Sequence, residues 1–343
     1  TTGSGMALER MFITGVSPIT LDDVTSGFNI GSNFTTSPLF NNLIGFSETE
    51  LRTMLNYYHN EGALKMDVEE MIKEMKPWYD NYCFSEDHLT ECMYNSDMVL
   101  YYLNSCLLIG APPREMIDKN IRTDYNKLRH LIKIDKELGE NFSVIREIVE
   151  TGRTTATLSD GFSVEQMIRP DNFKSLLYYF GLLSIQGIER GDVVLTIPNH
   201  TVREQMYTYL IDGLADTDIF RIDFYQLGKL INSMAYDGWW QPVFTYIASE
   251  LEKQSRVREF IDGEAHIKGF LLAYLGLTHY YLLLPEYELA KGYADFYFQP
   301  SPKLKDMEYA YLLEVKYMKR SEADSRIAEL KEDARAQLLK YAS

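Results

Sequence analysis

Late in the chain, the run Tyr311-Leu312-Leu313-Glu314-Val315-Lys316 sets two charged residues at alternating positions inside an apolar stretch. Successive side chains of an extended strand point to opposite faces, so Glu314 and Lys316 share one face while Leu313 and Val315 share the other. A strand this apolar belongs in the middle of a sheet. A carboxylate and an ammonium are costly to bury there unless they serve a site. This stretch therefore calls for a sheet with a covered face and for a chemical reason behind the two charges.

The flanking patterns supply the sheet and its cover. Glu259–Leu277 reads as an amphipathic helix, Tyr280–Glu288, Tyr293–Gln299 and Tyr309–Tyr317 as strands, and Glu322–Tyr341 as a charged closing helix. Helix, antiparallel strands and helix in that order make an α/β core. Asp295 sits between aromatic strand residues, a place for which aspartate has poor propensity. If its strand pairs with the next, Asp295 lies beside Glu314. Glu264 on the preceding helix is a third carboxylate that can close a site. His266, two positions on, is turned about 200° from it and cannot easily share a ligand. Hard oxygen ligands of this kind suit Mg²⁺. The plainer alternatives are a surface ion pair for Glu314 and Lys316, a strand-end turn for Asp295, and a solvated helix position for Glu264.

The rest of the chain is expected to be mostly helical. Its 343 residues exceed one ordinary core, and 45% hydrophobic with 24% charged residues describe a globular protein. Arg10–Val16 reads as a buried strand, and Ile19–Phe46 as loop and turns. Ser47 with Glu50 forms a capping box that opens a helix through Tyr58. Asp67 caps a second helix, expected to stop at Pro77, before the extended aromatic segment Trp78–Phe84. Asp97–Leu107, Asp124–Ile134, Phe142–Glu150 and Asp171–Phe180 read as helices. Tyr179–Ile185 and Val193–Asn199 read as a hairpin before helix Val202–Ile211, a winged-helix-like order whose plainer reading is packing within a helical lid. Beyond Asp223 the chain is helical again through Glu252.

Charge and cysteine usage narrow the function classes. The net charge of −16 is unevenly spread: residues 221–343 carry −2 and residues 1–220 carry −14. A nucleic-acid module is therefore easier to place in the last third than in the front. Three cysteines at irregular spacing argue for a reduced compartment, with cytoplasm the default. Cys83, His88, Cys92 and Cys106 do not match zinc-ligand spacing. No membrane span or signal peptide is expected.

Asp295 followed by Glu314-Val315-Lys316 resembles the Asp…(Asp/Glu)-x-Lys signature of the PD-(D/E)XK nucleases. The upstream helix with Glu264 resembles that family's first core helix, and Gln337-Leu338-Leu339-Lys340-Tyr341 resembles the QxxxY motif of its RecB-like branch. Phe12–Ile19, Ser26–Ile30 and Trp78–Ser85 look like bacterial proteins that join an AAA-ATPase-like domain to a C-terminal PD-(D/E)XK domain. The resemblance implies a multidomain α/β protein: a remnant of the ATPase-like domain over 1–90, a helical lid over 91–221, and a restriction-endonuclease-like core over 222–343. It implies a metal-dependent DNA nuclease with Mg²⁺ or Mn²⁺ held by Asp295 and Glu314 with Glu264 assisting, and Lys316 acting on the attacking water. Gln337 and Tyr341 are expected to brace the site or touch the substrate. The partner implied is nucleic acid, DNA in the first place, and a homo-oligomer stays open. The alternative is a non-catalytic regulatory or assembly protein whose nuclease-like fold only binds. No GxxxxGK[ST] is present, the nearest being Gly3-Ser4-Gly5 and Thr151–Thr155, so the chain reads as a fragment that starts after the phosphate-binding strands. ATP is expected in the intact protein and not on these residues.

Overall fold

The computed structural model describes residues 34–118, 133–134, 137–138, 140–159, 161–162, 166, 169–216, 218–254, 256–257, 261, 263–301, 304, 306–319, 322 and 325–342. The expected strand Arg10–Val16 and the segments Phe12–Ile19 and Ser26–Ile30 lie outside these residues.

The first helices start where their capping residues require. Helix α1 (Glu48–Asn60) opens on the expected box: Glu50 N–H donates to Ser47 Oγ at 3.2 Å and Ser47 N–H donates to the Glu50 carboxylate at 2.9 Å. Helix α2 (Val68–Tyr79) is capped by Asp67, which accepts from Glu70 N–H. It runs two residues past Pro77 rather than stopping there. The proline removes one backbone donor, but Asp80 N–H still closes the turn on the Lys76 carbonyl at 3.2 Å, and burial of Met75 and Tyr79 offsets the loss. Helix α3 (Ser96–Ile109) ends at Gly110, whose left-handed backbone (φ 76°) closes it. Leu51, Leu55, Met71, Met75, Tyr79 and Tyr102 pack these three helices into one apolar cluster.

A second, larger core begins with the aromatic segment after α2. Here Asn199 Nδ2 donates to the Asp80 carbonyl at 2.9 Å, Thr201 Oγ1 to the Trp78 carbonyl at 2.8 Å, and Cys83 N–H to Ser184 Oγ at 2.8 Å. The segment thus adds side-chain partners more than a hundred residues away to one isolated bridge, in which Tyr82 and Met93 exchange backbone hydrogen bonds of 3.1 and 2.8 Å. Residues 124–132 of the expected helix Asp124–Ile134 lie outside the described set. Its end is not helical: β1 (Lys133–Ile134) pairs antiparallel with β2 (Glu137–Leu138).

Helix α4 (Glu140–Thr151) leads into β3 (Arg153–Ala156), helix α5 (Pro170–Tyr179), β4 (Ser184–Glu189), β5 (Asp192–Thr196) and helix α6 (His200–Asp216). The hairpin expected from sequence exists, though Tyr179 closes a helix rather than opening a strand. A third strand, β3, joins it to give the antiparallel order β3–β5–β4. Helices α7 (Phe224–Asp237) and α8 (Gln241–Lys253) follow, separated at Gly238, whose φ of 76° again ends a helix. Helix α9 (Glu264–Gly276) precedes the second sheet, β6 (Tyr281–Leu289), β7 (Gly292–Pro300) and β8 (Tyr311–Leu313), in the antiparallel order β6–β7–β8. Helix α10 (Ser325–Ala342) packs on β7. Among the described residues the chain is a mixed α/β protein whose helices pack with two three-stranded antiparallel sheets, beside the short β1–β2 pair, an α/β protein as its sequence implied.

One apolar core runs from Phe142 in α4 through Phe220 and Phe270 to Phe296 and Val315. Helix α9 is embedded in it by close approach. A Cβ at Gly276 would lie 2.4 Å from the buried Tyr207 ring, and one at Gly269 would lie 2.5 Å from Glu150 Cγ. Only a glycine permits such contacts, and they fix where the polar first turn of α9 emerges. Among the described residues no helix is long and apolar enough to cross a membrane.

Candidate active site

Alternation along β7 divides its residues cleanly. Ala294, Phe296 and Phe298 face the core, and Asp295 points to the opposite face, where it is nonetheless only 6% exposed. In β8 the partners of Phe296 and Phe298 are Leu313 and Tyr311. The next position after Leu313 is Glu314, which this register sets opposite Asp295. Directly opposite residues of an antiparallel pair share a face, so Asp295 and Glu314 are side by side. Val315, buried in the core, and Lys316 continue the alternation.

The strand itself is shorter than the expected Tyr309–Tyr317, ending at Leu313. The reason is chemical. Val315 N–H donates to Asp295 Oδ2 at 2.7 Å, so a carboxylate takes the place of a backbone acceptor and the ladder gives way to a site. Lys316 Nζ donates to Glu314 Oε1 at 2.8 Å, while Glu314 Oε2 is buried and accepts no hydrogen bond. Burial would lower the Lys316 ammonium; the hydrogen bond and charge of Glu314, joined by the charges of Glu264 and Asp295, outweigh it and hold the group above its ordinary range.

Two residues that sequence patterns did not single out complete the cluster. Lys268, one turn after Glu264 on α9, places its ammonium 2.5 Å from Asp295 Oδ1, 3.1 Å from Glu264 Oε1 and 3.9 Å from Glu286 Oε1. Burial pulls Lys268 down, and the hydrogen bonds and charges of Asp295 and Glu264 more than reverse this. Glu286 lies opposite Asp295 on the β6 side, between the pairs Pro285↔Phe296 and Tyr287↔Ala294. Its φ of 46° is left-handed, a strained state for a residue with a Cβ, and the ladder skips it. Glu286, Asp295 and Glu314 therefore form a row across the sheet. The signals were present but weak: Glu264 and Lys268 are spaced i, i+4, and the two-residue turn Ala290–Lys291 sets Glu286 against Asp295.

The other expected residues are less directly engaged. Tyr341 packs its ring within 2.6 Å of where a Cβ of Gly292 would stand, at the start of β7. Gln337 has a buried amide oxygen without a hydrogen-bond partner. Both lie on α10, which packs on β7, and make no hydrogen bond to Asp295, Glu314 or Lys316. His266 turns away from Glu264 and lines an apolar cleft with Phe142, Glu150 and Phe270.

This donor set is all oxygen, which is the chemistry a hard divalent cation requires. The uncompensated Glu314 Oε2 is the atom best placed to accept one, since a buried carboxylate oxygen without a donor is costly as it stands. Among the described residues no three His, Cys, Asp or Glu side chains are arranged to hold a metal ion directly. Lysine ammonium groups are interposed among the carboxylates instead.

Comparison with known proteins accords with this geometry. Residues 262–343, from the start of α9 through α10, match the PD-(D/E)XK nuclease superfamily. No similar curated protein and no similar solved structure was found.

Proposed function

We propose that the PD-(D/E)XK nuclease superfamily domain at residues 262–343 is a metal-dependent phosphodiesterase acting on DNA. The observation that carries this reading is the buried pair Asp295 and Glu314 on one sheet face, with Lys316 bonded to the same cluster. Asp295 and Glu314, assisted by Glu264, are the residues to hold Mg²⁺ or Mn²⁺. When bound, such an ion polarises a phosphate oxygen and acidifies a water.

The chain's own residues do the positioning. Val315 N–H fixes the Asp295 carboxylate, leaving Oδ1 directed into the cluster. Glu314 anchors Lys316 through one oxygen and presents the other. Lys316, as an ammonium, orients the attacking water and stabilises negative charge that grows on the phosphate. Gln337 and Tyr341 brace β7 from α10. In the same reading the module occupies 222–343 and follows a helical lid (91–221) and an ATPase-like region (1–90), as one half of an ATPase–nuclease fusion. Residues 1–343, without a phosphate loop, bind no ATP.

The test is cleavage of single- and double-stranded DNA by the chain with Mg²⁺ or Mn²⁺, with and without EDTA. Cleavage that EDTA abolishes and that Lys316→Ala removes is the expected result. DNA bound but left intact by the wild type would replace this reading with the binding-only alternative. Cleavage that survives both Lys316→Ala and Asp295→Ala would assign the activity to something other than this site.

A further inference from the structure

Lys268 places its ammonium among three carboxylates of the cluster. Its ammonium contacts one oxygen each of Asp295, Glu264 and Glu286, which belong to three different elements. Glu264 and Asp295 are two of the residues to which the proposed function gives the metal. Asp295 has its second oxygen committed to Val315 N–H, so Oδ1 is the one it has to offer, and Lys268 holds it. The backbone on either side of the lysine has other supports. Asp295 is oriented by the backbone of the β8 side, and α9 is seated by Gly269 and Gly276. The lysine side chain is 21% exposed, so its flexible stem has a route out of the cluster.

From this arrangement we infer that Lys268 is a resident counter-cation that competes with the divalent ion for Asp295 and Glu264. The inference rests on the nuclease reading of those carboxylates. Carboxylate–ammonium contacts span about 2.5–3 Å, whereas Mg²⁺ draws oxygens to about 2.0–2.1 Å and repels a neighbouring positive charge. Metal entry therefore displaces the lysine, and the ion pairs it leaves weaken metal binding. Without the lysine, Glu264, Glu286 and Asp295 would repel one another in a half-buried site, so it also keeps the metal-free cluster assembled. Lys316 differs in this respect: its partner, Glu314, retains a second oxygen with nothing bound to it.

The experiment is Mn²⁺ titration calorimetry at one fixed pH on the full chain and four variants: Lys268→Met, Lys268→Gln, Lys268→Arg and Asp295→Asn. Lys268→Met and Lys268→Gln remove the charge with different side-chain polarity, so one is available if the other folds poorly by circular dichroism. Both are expected to bind Mn²⁺ at least about tenfold more tightly than wild type, the scale of removing one nearby positive charge. Lys268→Arg keeps the charge and stays within about threefold of wild type, and Asp295→Asn loses the site. Equal or weaker Mn²⁺ binding by the charge-removing variants, with Asp295→Asn still defective, overturns the role of Lys268 and leaves the metal site standing. No Mn²⁺ binding by any form overturns both readings.

Discussion

The sheet β3–β5–β4 carries its charges at the surface, whereas β6–β7–β8 and the segment just after it also bury two carboxylates, Asp295 and Glu314, although both sheets are three-stranded, antiparallel and packed on the same core. On the first sheet Arg153 pairs with Glu189 across the strands, and both side chains are about half exposed, at 50% and 53%. Its buried polar groups are small, neutral and partnered: the Thr154 hydroxyl donates to Glu147 at 3.1 Å, and Ser184 Oγ accepts from Cys83 N–H. On the second sheet two carboxylates are nearly sealed from solvent, a third sits at a strained residue, and one buried oxygen has no donor at all. A fold of this shape is thus available without interior charge. Buried ion pairs are weak contributors to stability, so the second sheet retains them at some cost in stability. That is the mark of a site rather than of a scaffold.

The largest effect that bears on this contrast is catalytic. Lys316→Ala should reduce the DNA cleavage rate by on the order of 10²-fold or more, because a preorganised charge acts mainly in the transition state. Substrate affinity, measured by fluorescence anisotropy, should change little. Asp295→Ala should be as inactive, with partial recovery at raised Mn²⁺. A Lys316→Ala variant that cleaves at the wild-type rate would remove the distinction between the two sheets.

Stability supplies the converse test. Replacing the interior pair by apolar residues of similar size, Glu314→Leu with Lys316→Met, should leave urea stability unchanged or raise it by about 1–4 kcal/mol while cleavage is lost. A loss of several kcal/mol would mean that these charges hold the sheet together after all.

A pH titration probes the polar group that joins the first sheet to the N-terminal helices. His200, at the start of α6, stacks edge-on against Trp78, with ring centroids 5.3 Å apart. Burial, with a smaller contribution from the charge of Arg203, pushes it down from 6.5 to about 4. Between those values the unfolded chain takes up a proton that the folded chain refuses, so stability falls as the pH drops through this window. The loss in wild type should be at most about 3 kcal/mol, and it should vanish from the difference between wild type and His200→Gln above pH 6.5. A pH slope that His200→Gln leaves unchanged would reassign it to other groups.

The smallest effect is expected at the surface pair. Arg153→Ala should cost no more than about 1 kcal/mol, and less in high salt, as for other exposed ion pairs. A larger cost would mean that the first sheet also relies on its charges.

Much of this arrangement is written in short-range pattern. The alternation around Glu314 and Lys316 placed both correctly against the buried Val315. The aspartate in an aromatic strand stood out by propensity alone, and the Ser47–Glu50 and Asp67 caps appear where expected. Strand β3 was missed because four residues after a glycine carry too little period to separate a strand from a loop. Helix α2 continues past Pro77 because burial of Met75 and Tyr79 in the first apolar cluster outweighs the donor that the proline removes, a tertiary effect that local pattern does not carry.

Local covalent geometry explains that division. A strand repeats every two residues and a helix every 3.6, so which side chains share a face follows from spacing, and the sequence alone determined that Glu314 and Lys316 belong together. Which faces meet depends on strand register and on how closely helices dock, quantities summed over the whole core. The hairpin register brought Glu286 to one flank of Asp295 and Glu314 to the other. The close seating of α9 through Gly269 and Gly276 carried Lys268 into the carboxylates. Only the tertiary structure could decide that a lysine on a helix would meet carboxylates from its own first turn and from two strands of the neighbouring sheet.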